Sequence, residues 1–170
     1  MLLANYFKRI KAIWHPAMFQ GWGKKSNYFE GWYYKIVTAD QRHAYAIIPG
    51  IALHHGDRHA FIQTMDGIAK TAEYTRFDLS AFDPNAQMFA VSIGDNKFSS
   101  SDISIDLPHI QGRLSFKNLQ NYNGSIFSPG IMGWYSFVPF MQCYHGLVSI
   151  GHKIEGQMQI RDKVVDFTGG

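Results

Sequence analysis

From residue 28 onward, apolar and polar side chains alternate in short runs separated by turn-forming clusters, which is the two-residue period of half-buried strands. Residues 29–37 (FEGWYYKIV) place Glu30, Trp32, Tyr34 and Ile36 on one face. The run itself does not say whether Trp32 or Tyr33 turns inward, and a one-residue change of face exchanges inside for outside. Residues 43–51 read as a second strand, broken late by Pro49-Gly50, and 54–57 (HHGD) as a turn from which 58–65 return. Runs 70–77, 87–93 and 101–107 continue the series. In the last, Ile103, Ile105 and Leu107 oppose Asp102, Ser104 and Asp106. Residues 109–116 and 153–160 share a shape: Ile110, Gly112, Leu114 and Phe116 line one side of the first, and Ile154, Gly156, Met158 and Ile160 one side of the second. A glycine on the apolar side lets a strand bend over a curved sheet.

Two stretches leave this period. Residues 2–14 (LLANYFKRIKAIW) set Leu3, Phe7, Ile10 and Trp14 along one helical stripe, with Lys8, Arg9 and Lys11 off it. His15-Pro16 ends that helix, because the residue before proline is pushed out of the α region. The stripe is expected to pack on the domain; the competing reading is a weak contact with an anionic membrane surface. Residues 128–146 (SPGIMGWYSFVPFMQCYHG) carry no Asp, Glu, Lys or Arg, yet two prolines and three glycines exclude a regular helix. They predict a broken, buried segment that lines a cavity with rings and enters a strand near Gln142. Trp134, Tyr135, Ser136, Tyr144 and His145 scatter polar groups among those rings, as a pocket for an apolar ligand with one polar end requires. An ordinary aromatic core is the plain alternative.

About ten short strands with one leading helix point to an all-β protein, an antiparallel barrel or sandwich. A lipocalin-like β-barrel fits best, with residues 1–27 as a short N-terminal helix and lead-in loop and 28–170 as the barrel. An oligonucleotide-binding barrel has only about five strands.

Composition narrows the function classes. At 170 residues the chain makes one domain with a real core. Its single cysteine, Cys143, excludes a disulfide framework and a multi-cysteine zinc site, and is expected to be buried and inert. A net charge of +3, from 16 basic and 13 acidic residues spread along the chain, does not call for nucleic acid. No run approaches the ~18 apolar residues of a membrane span, and the charged start is unlike a signal peptide. A cytoplasmic protein is expected.

Candidate chemistry rests on few groups. Glu30 shares a face with Trp32 and Tyr34. If that face points inward, desolvation raises its pKa and keeps a neutral acid among rings; otherwise it forms a salt bridge with Lys35, Lys24 or Arg113. Tyr144 and His145 face opposite ways along a strand, so only one points inward, and His145 there would serve as acid, base or orienting group. His54, His55 and His59 straddle a turn and read as exposed rather than as metal ligands. No phosphate loop, nucleophile elbow or paired-cysteine motif is present.

Four blocks carry a resemblance. HPAMFQG (15–21), YFEGWYYK (28–35), SPGIMGWYSFVPFMQCYHG (128–146) and DFTGG (166–170) resemble, in order, the tocopherol cyclase family. That family is related in fold to carotenoid hydratase-like proteins built from two lipocalin-like halves. The resemblance implies closure of a chromanol ring without a cofactor, by protonating a trisubstituted alkene so that a phenol oxygen captures the tertiary cation. Glu30 is a candidate for that acid and His145 a second candidate catalytic residue, with Trp32, Tyr34, Trp134, Tyr135 and Tyr144 as candidate ring wall of a site for a hydrophobic small molecule; the resemblance itself does not name the proton donor. In the family the block matching DFTGG is followed by a second barrel half, so the resemblance also implies pairing with such a half. The alternative is a lipocalin-like module that binds a lipid or quinone without chemistry.

Overall fold

The computed structural model describes residues 15, 17–120, 131–132 and 146–170 of the chain. The expected helix at 2–14 and the candidate residues Trp134, Tyr135, Tyr144 and His145 lie outside the described residues, as does Cys143.

The described chain is all-β. In order come β1 (Tyr28–Gly31), β2 (Tyr34–Val37), β3 (Ala44–His54), β4 (Asp57–Asp66), β5 (Thr71–Asp78), a 3-10 turn (Leu79–Ala81), β6 (Phe82–Pro84), β7 (Ala90–Ile93), β8 (Asn96–Ser99), β9 (Asp102–Leu107), β10 (Ile110–Gln120), β11 (Gly151–Ile160) and β12 (Lys163–Asp166). They form two antiparallel sheets. One runs β1-β3-β4-β5, with β2 also on β3, and the other β12-β11-β10-β9-β8-β7-β6. Among the described residues the ladders do not close into a barrel: one sheet ends at β5, and the other starts at β6 beyond the 3-10 turn.

The expected strand at 29–37 is two pieces, both paired to β3 and separated at Trp32-Tyr33. Pro49 explains the gap. Its carbonyl accepts the Trp32 N–H at 3.0 Å, so its ring nitrogen, which has no hydrogen to give, faces the same neighbour. The β4 side loses nothing, and β3 runs on past Pro49-Gly50 to His54, paired to β4 throughout. The anticipated break in 43–51 is therefore absent from that ladder. The short strands β6, β8 and β12 have too few residues for their alternation to stand out in the sequence.

Inner faces of the two sheets meet in one core. Ile36, Ile47, Ile51, Ala60 and Ile62 from the first sheet pack against Val91, Ile93, Phe98, Ile103, Leu114, Met158 and Phe167 from the second. The glycines on the apolar sides of β10 and β11 are required there. Gly112 (φ 144) and Gly156 (φ 119) adopt backbone geometry unfavourable to other residues. A Cβ on Gly112 would come 2.6 Å from the Gln157 carbonyl oxygen, and one on Gly156 would meet the Arg113 carbonyl oxygen. At each of these points a Cβ would run into the backbone of the paired strand, which is why glycine stands there.

At one end the sheets are joined by polar groups. His109, just before β10, hydrogen-bonds the buried Thr64 of β4 (Nε2 to Oγ1, 2.8 Å) and lies 3.2 Å through Nδ1 from Glu73 of β5. Arg161, after β11, donates to the other Glu73 oxygen at 2.6 Å. With a neutral ring, His109 Nδ1–H donates to the carboxylate and the Thr64 hydroxyl donates to Nε2.

Candidate functional site

Trp32 is 7% exposed and Tyr33 62%, so the 28–37 segment turns Glu30, Trp32, Tyr34 and Ile36 towards the second sheet. That choice puts a carboxyl group on the inner face.

Three donors hold it. The Gln20 N–H lies 3.1 Å from both Glu30 oxygens, the Tyr28 hydroxyl donates to Oε2 at 2.6 Å, and the Gly21 N–H also donates to the carboxyl. The amides come from the lead-in loop, whose shape the sequence dictates. Gly21 is wedged between the Phe19 and Tyr28 rings, where a Cβ would come 2.5 Å from either. Phe19 in turn packs edge-on against Trp22 and Phe82. Burial pushes the Glu30 carboxyl up from 4.5 to about 7, against the opposing pull of Tyr28 and of the Gln20 and Gly21 amides. Removal from water outweighs three donors. The group is thus shared between its two protonation states at neutral pH. The Tyr28 hydroxyl suits both, since it can donate to a carboxylate or turn to accept from an acid.

None of the salt-bridge partners expected for Glu30 pairs with it among the described residues. Arg113 reaches Asp102 at 3.4 Å, Lys35 lies on the opposite, exposed face, and Lys24 sits 5.9 Å from the centre of the Tyr28 ring. The last is a cation–π contact.

From this end a file of rings crosses the core. Phe82 stacks on Trp32 (6.4 Å between centroids), Trp32 on Phe89 (5.5 Å), Phe89 on Tyr34 (6.4 Å) and Tyr34 on Phe116 (5.9 Å). Phe116 then meets the His152 ring edge-on at 4.6 Å. Trp32 Nε1–H donates to the Ala17 carbonyl and the Tyr34 hydroxyl to the Ser99 carbonyl, both at 2.8 Å. Burial raises the Tyr34 hydroxyl well above the usual phenol range. These rings pack upon one another, so Trp32 and Tyr34 can wall a guest only along the margin of the file.

The sequence reading missed His152. The alternation quoted for β11 begins at Lys153, and one step back puts His152 on the dry face with Ile154, Gly156 and Met158. The three histidines between 54 and 59 separate as well. His54 and His55 are exposed, as expected, but His59 is buried and belongs to β4. It bonds Asp57 through Nδ1 (3.2 Å) and the Tyr74 hydroxyl through Nε2 (2.8 Å), with Arg76 on Asp57. The exposed-turn expectation fails for His59, because Phe61 and Tyr74 close over it.

No group of three or more His, Cys, Asp or Glu side chains among the described residues could hold a metal ion. A surface hollow of about 310 Å³ between the 38–43 turn and β12 contains Asp40 and Asp166, but local turns occupy both carboxylates. No helix among the described residues is long and apolar enough to cross a membrane. Compared with known proteins, the chain matches no family model, no curated protein and no solved structure.

Proposed function

We propose that this chain is a tocopherol cyclase-like protein, a lipocalin-like barrel that takes a prenylated phenol and closes a ring by intramolecular acid catalysis. One observation carries the reading: an inward carboxyl group, poised near neutrality, stands at the head of a file of aromatic rings. Two features of the strands favour a barrel form. Each strand neighbours the next in sequence, from the β1/β2 pair through β12, apart from the turn between β5 and β6. The final residues also return to the other edge, where a Cβ on Gly170 would meet the Val37 carbonyl oxygen.

The chemistry balances without a further reactant. The neutral Glu30 acid gives its proton to the less substituted alkene carbon, and a tertiary cation forms on the other. Rings at the margin of the file stabilise that cation, and the phenol oxygen attacks it to form the C–O bond. The phenol proton returns to the Glu30 carboxylate, so acid and protein are restored and the net change is an isomerisation. Glu30→Gln keeps the size of the side chain but has no acidic proton to give. It is expected to abolish conversion of a prenylated hydroquinone to its chromanol, read by chromatography, while binding persists. Unchanged turnover in this variant would refute the proposal.

A second reading has its own support. Three donors from Gln20, Gly21 and Tyr28 converge on Glu30, which would equally suit a carboxyl that pins the lead-in loop in a non-catalytic lipid- or quinone-binding module. Saturable binding without product from any prenylated phenol would favour it.

A further inference from the structure

The far end of the ring file carries a second polar group with a different peculiarity. His152 Nδ1 is buried and has no hydrogen-bond partner among the described residues. Buried ring nitrogens seldom stay unpaired, because removing one from water without replacing the bond costs about 1–3 kcal/mol. Orphaned N–H donors are rarer still than orphaned acceptors. The ring is therefore best written with its proton on Nε2 and a bare lone pair on Nδ1. Burial lowers the imidazole below its ordinary value, which also favours this neutral form.

The backbone opposite His152 is irregular. Along β10 and β11, Lys117 pairs with Lys153 and Gln120 with Gly151, so Asn118 and Leu119 together oppose the single residue His152. That is a β-bulge, and Asn118 takes a left-handed conformation within it (φ 54). Bulges re-aim side chains and gather beside functional sites. Here the extra residue lies on β10, while His152 keeps the alternation of β11 and turns inward, its ring T-shaped to Phe116, one ring beyond Tyr34.

We infer that His152 is the residue that recognises the polar head of the interior guest, its Nδ1 accepting a hydrogen bond from a ring hydroxyl. This rests on the second reading above, a module that binds a quinone-type lipid without chemistry, because Glu30 and His152 stand at opposite ends of the ring file and one aromatic head cannot meet both. It extends that reading by assigning the far end of the site and by fixing the guest's redox state. A hydroquinone has the O–H that a bare lone pair requires, whereas the corresponding quinone offers only acceptors and would leave two lone pairs facing each other.

The test uses the whole chain with histidine labelled by ¹⁵N. A prenylated hydroquinone, its quinone and its dimethyl ether are each titrated in detergent, with tryptophan fluorescence and the imidazole nitrogen resonances as readouts. The hydroquinone should bind the wild-type protein about tenfold more tightly than the other two, the worth of one good hydrogen bond, and should move the His152 Nδ1 signal. His152→Phe should bring all three ligands to similar affinity. His152→Asn, whose amide oxygen can take the place of Nδ1, should restore much of the preference. Hydroquinone binding with no movement of the Nδ1 signal, or a preference that survives in His152→Phe, overturns the assignment alone. Failure of the wild-type chain to bind any of the three overturns the proposed function and this inference together. If His152→Phe does not fold, the nitrogen signal of the wild-type protein decides.

Discussion

The Tyr28 hydroxyl lies 2.6 Å from Glu30 Oε2, two residues apart on one strand and on the same face of it. The tyrosine favours the ionised carboxyl, and burial favours the neutral one. Removing the hydroxyl leaves burial less opposed, so Tyr28→Phe should lift the Glu30 pKa above about 7. If Glu30 is the catalytic acid, the alkaline limb of the pH–rate profile should move to higher pH in this variant. An unmoved limb would show that the limb belongs to another group.

Glu30 also makes stability depend on pH in an unusual direction for a carboxyl group. Its pKa is higher in the folded chain than the ordinary 4.5, so between 4.5 and about 7 the native state binds more protons than the unfolded state. Its contribution to stability is therefore greatest below 4.5 and is lost as the pH rises through about 7. Each pH step in that window is worth about 1.4 kcal/mol, which makes the whole loss roughly 3 kcal/mol. Glu30→Gln should flatten this component. Denaturant midpoints of the two proteins, measured from pH 4 to 8, should diverge across the window, and parallel curves would count against a desolvated carboxyl.

The join between the sheets predicts a purely structural effect. His109→Ala leaves the buried Thr64 hydroxyl without its ring partner and takes the imidazole away from Glu73. A loss of about 1–3 kcal/mol is expected, the penalty for a stranded buried polar group. Urea unfolding should register it with little change in ligand affinity, because His109 lies outside the ring file.

Gly156→Ala tests the close backbone approach of β10 and β11. The new methyl group would strike the Arg113 carbonyl oxygen, and the residue would keep a φ of 119° that side chains disfavour. Destabilisation above about 2 kcal/mol is expected, visible as a lowered Tm. Tolerance of the substitution would mean that the two strands can move apart.

Much of this was legible from alternation alone. The period of two put Glu30, Trp32 and Tyr34 together, and the glycines at 112 and 156 stood out on the apolar sides of their strands as points of bending. What the pattern lacked was the sign of the face at Trp32, since Tyr33 is just as aromatic. Contacts with Phe82 and Phe89, fifty or more residues away, settle that point. His59 was obscured because the rings that cover it come from its own and a neighbouring strand rather than from its turn. His152 was obscured because the clean alternation of β11 starts at Lys153, while the strand itself begins two residues earlier at Gly151. The ring-rich stretch 128–146 had the plainest composition of all, yet most of it lies outside the described residues.

Pairing almost every strand with its neighbour in sequence has a kinetic consequence. Hairpins such as β3–β4, joined across His55-Gly56, can zip up locally with little loop entropy lost. The β10–β11 pair is the exception, since residues 121–150 must be spanned before its first bond can form. Folding should therefore wait on that one closure, and the imidazole at the bulge would be among the last groups to find its place.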